Sequence, residues 1–492
     1  MGSFMRQNKK AIVIGAGIAG LASAIRLKLQ GFEVNVYETQ PQPGGKLNRI
    51  EMGEYRFDTG PSLFTMPHFI EELFHLAGKD VSNYFSYLKS DIACHYFFED
   101  GTRFNFYTDP HKRKEEFKTV FSDDIENVER YLTESEFIYE KTKKTFLEKS
   151  LHKINTYLNK DILETIGAIP KLGLFTTLHR RNKKSFKNKK LVQVFDRYAT
   201  YNGSNPYKTP GIMSLIPHLE NGIGTFLPKN GMYDIVKALF SLARDIGVVF
   251  YFNKKVEQVI IKKNEISGVV VAGVKIDIDV VFCNVDVKIA YQKLLNGIQL
   301  PKSVMKQEPS SSALIFYWGI NKEFKELGLH NIFFSNDYKQ EFESIFKKGE
   351  IIDDPTVYVN ITKKFVRSDA PEGGENWFVM VNVPYNSGQD WEFIRKEARK
   401  NILIKLNRIL KVDISTYIQE EEYLDPLRIE EKTSSFAGSL YGSSSNSQMA
   451  AFFRHPNFSK IKGLYFVGGS VHPGGGIPLC LLSAKIASSI VK

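Results

Sequence analysis

Gly15, Gly17 and Gly20 stand in the spacing G-x-G-x-x-G. They follow the apolar run Ala11-Ile12-Val13-Ile14 and precede a helical pattern carrying Leu21, Ala24, Ile25, Leu27 and Leu29. Strand, glycine turn and helix in that order form the fingerprint for holding a dinucleotide pyrophosphate. Gly15 permits the tight turn, Gly17 lets the backbone approach phosphate with no Cβ in the way, and Gly20 lets the helix pack closely on the strand. Ala16, Ile18 and Ala19 complete the turn, and the helix N-terminus offers free N–H groups and a positive dipole end. A second strand pattern, Glu33–Tyr37, leads to Glu38, placed where a carboxylate accepts hydrogen bonds from a ribose. An acid there disfavours a 2′-phosphate, which argues against NADP.

Two further glycine groups suit close backbone approach. Gly44-Gly45-Lys46 ends a loop with two prolines, and its cation after paired glycines fits a second contact with phosphate. Gly468, Gly469 and Gly474–Gly476 follow the buried-strand run Gly463–Val467 and precede a helical pattern from Ile477 to Val491, with Pro473 and Pro478 fixing turns. Between them, Tyr55–Ser62 reads as a strand end entering a turn at Gly60, Pro61 and Ser62. Cys94, Cys283 and Cys480 are far apart, with no metal or redox spacing, so no metal site is expected. No Ser-His-Asp order or paired-carboxylate pattern appears either, so the hard chemistry belongs to a cofactor. NAD as redox partner requires a nicotinamide site, and there is no second fingerprint. One extended FAD molecule touches both the N-terminal and the C-terminal glycines. Asp196, Arg197 and His472 are the titratable candidates for catalysis. A buried ion pair explains the first two equally well, and a positioning role suits His472 better than proton transfer.

The elements that must hold these groups follow from the rest of the chain. At 492 residues it has room for two or three domains. The 42% apolar and 25% charged fractions are ordinary for a globular protein. The 37 Phe and 23 Tyr provide for a large apolar surface or an aromatic core. The net charge of +11 raises anionic partners, but no zinc-finger or RNP pattern supports nucleic acid. No apolar run reaches the length of about 18 residues that spans a membrane, and Met5–Lys10 leads straight into the first strand, so a reducing, cytoplasmic setting is expected. Residues 94–98 and 103–107 read as a hairpin about Asp100-Gly101. Residues 111–190 read as helical, ending in the apolar stretch Ile166–Phe175 and a basic one. Between Lys171 and Lys190 there are eight basic residues and no acidic one. That combination suits the surface of an anionic bilayer, with a solvated basic loop as the plain alternative. A helix through Leu242, a meander turning at Lys263-Asn264-Glu265, strands at 313–318, 356–360 and 377–383, a helix from Trp391 to Leu410 and a Ser/Gly loop from Glu430 to Ser447 complete the reading.

G-G-Lys46 and Phe57-Asp58-Thr59-Gly60-Pro61 after the glycine turn resemble the N-terminal signature of amine-oxidase-like flavoproteins. With Phe195–Tyr207, Pro228-Lys229-Asn230-Gly231-Met232 and Phe466–Pro478, nearly the whole chain resembles the bacterial phytoene desaturase family of carotenoid enzymes. Asn230 replaces a usual glycine, read as a tolerated turn substitution. The resemblance implies an α/β (α+β overall) architecture. A Rossmann-type FAD-binding domain (1–84, 220–296, 456–492) joins a discontinuous substrate domain of mixed sheet plus helices (85–110, 297–455) and a helical, basic, membrane-associating insert (111–219). It implies FAD held by the residues above, with the backbone of Val256 at the adenine and Gly468, Gly469, Gly476, Ile477 and Pro478 at the flavin. It implies removal of two hydrogens from adjacent saturated carbons of a polyene in a long apolar pocket, with oxygen or a quinone as electron acceptor. The aromatic second half looks most like the 3,4-desaturases of 1-hydroxycarotenoids. Alternatives on the same scaffold are a phytoene desaturase, a carotenoid isomerase or, outside enzymes, a prenyl-binding escort protein.

Overall fold

The computed structural model describes residues 9–157, 165–447, 450 and 453–491. Expectations that fall on 1–8, on 158–164 of the insert, on 448–449, on 451–452 and on 492 lie outside the described residues.

β1 (Lys10–Ile14), α1 (Ile18–Leu29) and β2 (Glu33–Tyr37) open the chain as the glycine spacing predicts. β1 lies at the centre of a five-stranded sheet in the order Leu464–Phe466, Val280–Cys283, β1, β2, Val249–Tyr251. Every pairing in it is parallel. Apart from Lys10, β1 is buried throughout, because a parallel sheet is covered on both faces; hence its unbroken apolar run. On one face Leu21 and Ala24 of α1 share a core with Ile235 and Leu239 of the helix Asp234–Asp245 and with Leu481 and Ala484 of the helix Ile477–Ile490. On the other face Ile12, Ile14 and Val281 pack with Val259 and Val269 of the antiparallel meander Val256–Ile276. Its first turn places Lys263 and Asn264 in the left-handed region. The strand Leu464–Phe466 brings the two ends of the chain into one layer.

A second, mixed sheet has seven strands: Ile418–Leu424, Ser312–Ile320, Glu375–Val383, Val357–Ile361, His330–Phe333, Ile92–Phe97 and Arg103–Tyr107. Ser312–Ile320 is buried end to end and alternates strictly. Leu314, Phe316 and Trp318 face the helix Trp391–Leu410 with Ile402 and Leu406. Ala313, Ile315 and Tyr317 face the other way, toward Phe57 and Phe378. The period-2 pattern thus sorts one face for the core and the other for the site.

Helices Pro110–Val120, Ile125–Thr142, Leu178–Ser185 and Lys189–Asp196, then tighter and wider turns to Ile223, form the expected helical region. Phe175 is 80% exposed and Ile166 52%, and Lys183, Lys184, Lys187 and Lys189 are exposed. No helix among the described residues is long and apolar enough to cross a membrane. One boundary differs from the sequence reading. The loop expected from Glu430 begins only after a helix, Pro426–Thr433, whose start is capped by Asp425 accepting from Arg428 N–H. Asp-Pro is a strong helix start, and it outweighs the Ser/Gly composition that follows.

Candidate functional site

Side chains of both sheets and of the helical region line one cavity of about 580 Å³, within the range of small-molecule and cofactor pockets. One end is formed by Gly15, Gly17, Ile18, Ala19, Glu38, Gly44, Gly45 and Val256, and another part by Gly468, Gly469, Gly475, Gly476, Ile477 and Pro478. The N-termini of α1 and of the helix Ile477–Ile490 both open on this space. Neither has a side-chain cap, so their first N–H groups are left for a ligand.

The glycines have separate reasons. A Cβ on Gly20 would lie 2.0 Å from the Gly15 carbonyl oxygen, so only glycine lets α1 rest on the turn. A Cβ on Gly17 would meet Asn284 Nδ2 at 2.9 Å. Gly476 is different: a Cβ there meets no atom within 4 Å, while its φ of +105° is one that side chains rarely adopt. That open space against a helix N-terminus is the room a flat cofactor ring requires. Glu38 is buried; its Oε2 accepts from Ala16 N–H at 2.7 Å, and its Oε1 accepts from Gln40 N–H and Thr39 Oγ1. The carboxylate therefore braces the turn while retaining lone pairs for a ribose.

Several motif residues serve the scaffold. Asp58 accepts from the N–H groups of Met232 and Tyr233, tying the Phe57–Pro61 segment to Pro228–Met232. Asn230 avoids the left-handed region, which Gly231 takes (φ +89°), so its replacement of glycine is free of strain. Lys46 lines the cavity, but its ammonium donates to the carbonyls of Ser439 and Leu440; burial lowers its pKa. It clamps the 436–442 loop rather than standing free for phosphate.

The three catalytic candidates part ways. Asp196 is absent from the cavity wall; its carboxylate accepts from Asn182 Nδ2 at 2.8 Å and meets His179 Nδ1 at 2.7 Å. Its carboxylate is buried and turned to His179 and Asn182, away from the cavity. Arg197 does line the cavity. Its guanidinium donates to Glu220 Oε1 at 3.0 Å and Tyr96 OH at 2.8 Å, and lies over the rings of Tyr96, Tyr198 and Tyr201. Glu220 also accepts from the Tyr198 and Tyr201 hydroxyls. His472 lines the cavity and donates from Nε2 to the Lys149 carbonyl at 2.9 Å. Burial pushes its pKa down to about 4, so it is neutral at pH 7. The sequence reading missed Glu220, the aromatic cage, Asn284 and Asp286. The last two follow the strand Val280–Cys283, at the carboxyl end of a parallel strand where such sites form, and that position was the available signal. Among the described residues no cluster of His, Cys, Asp or Glu could hold a metal ion.

A glycine-turn dinucleotide sheet joined to a cavity walled by a mixed sheet suits a flavin-dependent oxidoreductase, and the family match makes it one. The chain belongs to the flavin containing amine oxidoreductase family, which matches residues 18–492, and its cofactor is FAD. It is 54% identical to a 1-hydroxycarotenoid 3,4-desaturase of Flavobacterium sp. (strain P99-3), over 98% of this chain and 99% of that one. It is 32% identical to a 4,4′-diapolycopene oxygenase of Methylomonas sp., over 97% of each. A triple mutant of putrescine oxidase shares the fold, with a TM-score of 0.64 at 12% identity over 98% of each chain.

Proposed function

We propose that this chain is a carotenoid desaturase that removes two hydrogens from adjacent saturated carbons of a 1-hydroxylated carotenoid, at the 3,4 position. The observation that carries this reading is the 54% identity, over nearly the full length of both chains, to a 1-hydroxycarotenoid 3,4-desaturase. The apolar wall of the cavity supports it.

FAD, when bound, supplies the two-electron acceptor for the hydrogen removed. The chain's own residues bind, orient and exclude water. The first N–H groups of α1 would meet the pyrophosphate, Glu38 would accept from the ribose and the Val256 backbone would meet the adenine, while the Gly15 and Ala16 N–H groups are taken by the Tyr37 carbonyl and Glu38. Gly60, Pro61, Gly468, Gly469, Gly476, Ile477 and Pro478, which line the same cavity, would flank the flavin. Ile315, Ile332, Phe378 and Met380 give the polyene a dry surface. Arg197, held by Glu220 and three tyrosines, fixes a positive charge on the wall. His472, neutral and anchored to Lys149, positions the Val471–Pro473 turn. Neither is free to take a proton in passing, since Arg197 stays charged and His472 resists protonation.

A substrate this apolar resides in a bilayer. Phe175 and Ile166, exposed and close in sequence to the exposed lysines, support peripheral attachment to an anionic membrane, reached from the cytoplasm, with oxygen or a quinone taking the electrons onward. Product analysis with 1-hydroxylated, unhydroxylated and phytoene substrates tests the assignment. Conversion of the 1-hydroxylated compound at the 3,4 bond is expected, and equal turnover of phytoene would defeat it. A colourless protein without extractable flavin would favour a prenyl-binding escort.

A further inference from the structure

A three-residue hydrogen-bond chain breaks the apolar face of the seven-stranded sheet. Ser62 Oγ lies 2.8 Å from Tyr358 OH, and Tyr358 OH lies 2.7 Å from His330 Nδ1. Ser62 and Tyr358 line the cavity, while His330 sits behind them, 1% exposed. The neighbours on the wall are Ile315, Ile332, Phe378 and Met380.

The direction of the chain follows from its far end. Asn360 Nδ2 donates to the Leu329 carbonyl at 2.9 Å, which fixes the amide's orientation. The same nitrogen lies 3.2 Å from His330 Nδ1, so a proton on Nδ1 would face the amide's own N–H; Nδ1 is the acceptor, its lone pair aimed at the nearer Tyr358 hydroxyl, and the ring proton is on Nε2, which has no partner among the described residues. Tyr358 must then donate to Nδ1. Its oxygen is left to accept from Ser62, whose only hydrogen is thereby spent. Burial pushes the His330 pKa down to about 3, so the imidazole stays neutral and the polarity of the chain is constant at working pH. Ser62, which lines the cavity, is left with acceptor lone pairs only.

We infer that Ser62, polarised through Tyr358 and His330, accepts the hydrogen bond of the substrate's tertiary hydroxyl and so sets the enzyme's preference for hydroxylated carotenoids. This rests on the 3,4-desaturation reading and names the residues that choose the substrate. The chemistry demands an anchor beside the cofactor: in a 1-hydroxycarotenoid the oxygen is three bonds from C3 and four from C4. An anchor at the far end of the cavity would hold the wrong carbons. Ser62 is two residues from Gly60, whose own close approach to the Lys46 carbonyl places this turn among the cofactor glycines. The Ser62 side chain then serves the substrate rather than the cofactor, and the backbone of Gly60 and Pro61 is left to the flavin.

The test compares Tyr358→Phe and Ser62→Ala with the wild type. The holoproteins are assayed on a 1-hydroxylated carotenoid and its unhydroxylated counterpart, with flavin content and carotenoid binding by fluorescence quenching read alongside. The wild type is expected to prefer the hydroxylated compound in both kcat/KM and Kd. Each variant should hold full flavin, lose about ten-fold or more on the hydroxylated compound and change little on the other. Variants that keep the wild-type preference with full flavin would overturn the anchor alone. Loss of flavin from Ser62→Ala, with Tyr358→Phe keeping the preference, would return Ser62 to the cofactor and also overturn it. A wild type that converts both compounds equally would bring down the 3,4-desaturation reading itself.

Discussion

The Glu38 carboxylate accepts a 2.7 Å hydrogen bond from the Ala16 backbone N–H, joining the end of β2 to the glycine turn at the end of β1. One acid thus holds the turn in shape and also lines the cavity, where we propose it meets the ribose. Glu38→Gln keeps the size but turns one acceptor into a donor opposite an N–H. We expect the fold to persist and the flavin affinity to fall by about ten-fold or more, read as the flavin-to-protein ratio after dialysis. Unchanged retention would remove Glu38 from the cofactor site.

Gly20 and Gly476 should fail in different ways. Gly20→Ala drives a methyl into the Gly15 carbonyl and should cost about 3 kcal/mol of stability, with or without flavin. Gly476→Ala meets no protein atom, so its protein-side cost is backbone strain of about 1 kcal/mol, and its main effect should be loss of bound flavin. Thermal melts of the flavin-free and loaded forms separate the two.

Arg197 and Glu220 are both nearly fully buried, so removing one strands the other. Arg197→Met should destabilise by about 3–5 kcal/mol, and the double variant with Glu220→Gln should recover much of that loss. Additive losses in denaturant melts would show that the pair is not coupled.

Stability should drop on acidification. Burial holds His95, His455 and His472 down at about 4 and His330 at about 3, below the ordinary histidine value. Between about pH 6.5 and 4 the unfolded chain therefore binds protons that the folded chain refuses. Stability is full above that window and falls as pH drops through it. His455→Gln should flatten the melting temperature against pH; an unaltered slope would count against this account.

Membrane attachment is tested at the exposed patch. Reversing the charge of Lys183, Lys184, Lys187 and Lys189 together, or Phe175→Ser, should reduce co-sedimentation with anionic liposomes and leave binding to neutral ones low. Unchanged sedimentation by the charge-reversed protein would refute attachment through this segment.

Local chemistry accounts for what was legible in the sequence. The strand–turn–helix at Gly15 to Gly20 is contiguous, so its geometry is written in adjacent residues. The same holds for the hairpin at Asp100-Gly101, the meander turn at Lys263-Asn264 and the helix Trp391–Leu410. Glu38 was legible because its distance from the glycines is set by one helix and one strand. Asp196 and Arg197 were not separable, since neighbours on a chain can face opposite ways. Only packing turned Asp196 to His179 and Asn182 and Arg197 to Glu220 and the cavity. Likewise Ser62, His330 and Tyr358 lie far apart along the chain and none belongs to a local pattern shared with the others. Strand order in the seven-stranded sheet brings them together, because His330 pairs with Asn360 across one rung and Tyr358 lies two residues before it. The sequence by itself determined the glycine turns at both ends of the chain that line one cavity, because backbone turns depend on neighbouring residues. The tertiary structure alone decided which side chains of the mixed sheet line the cavity, because that depends on sheet register between distant segments.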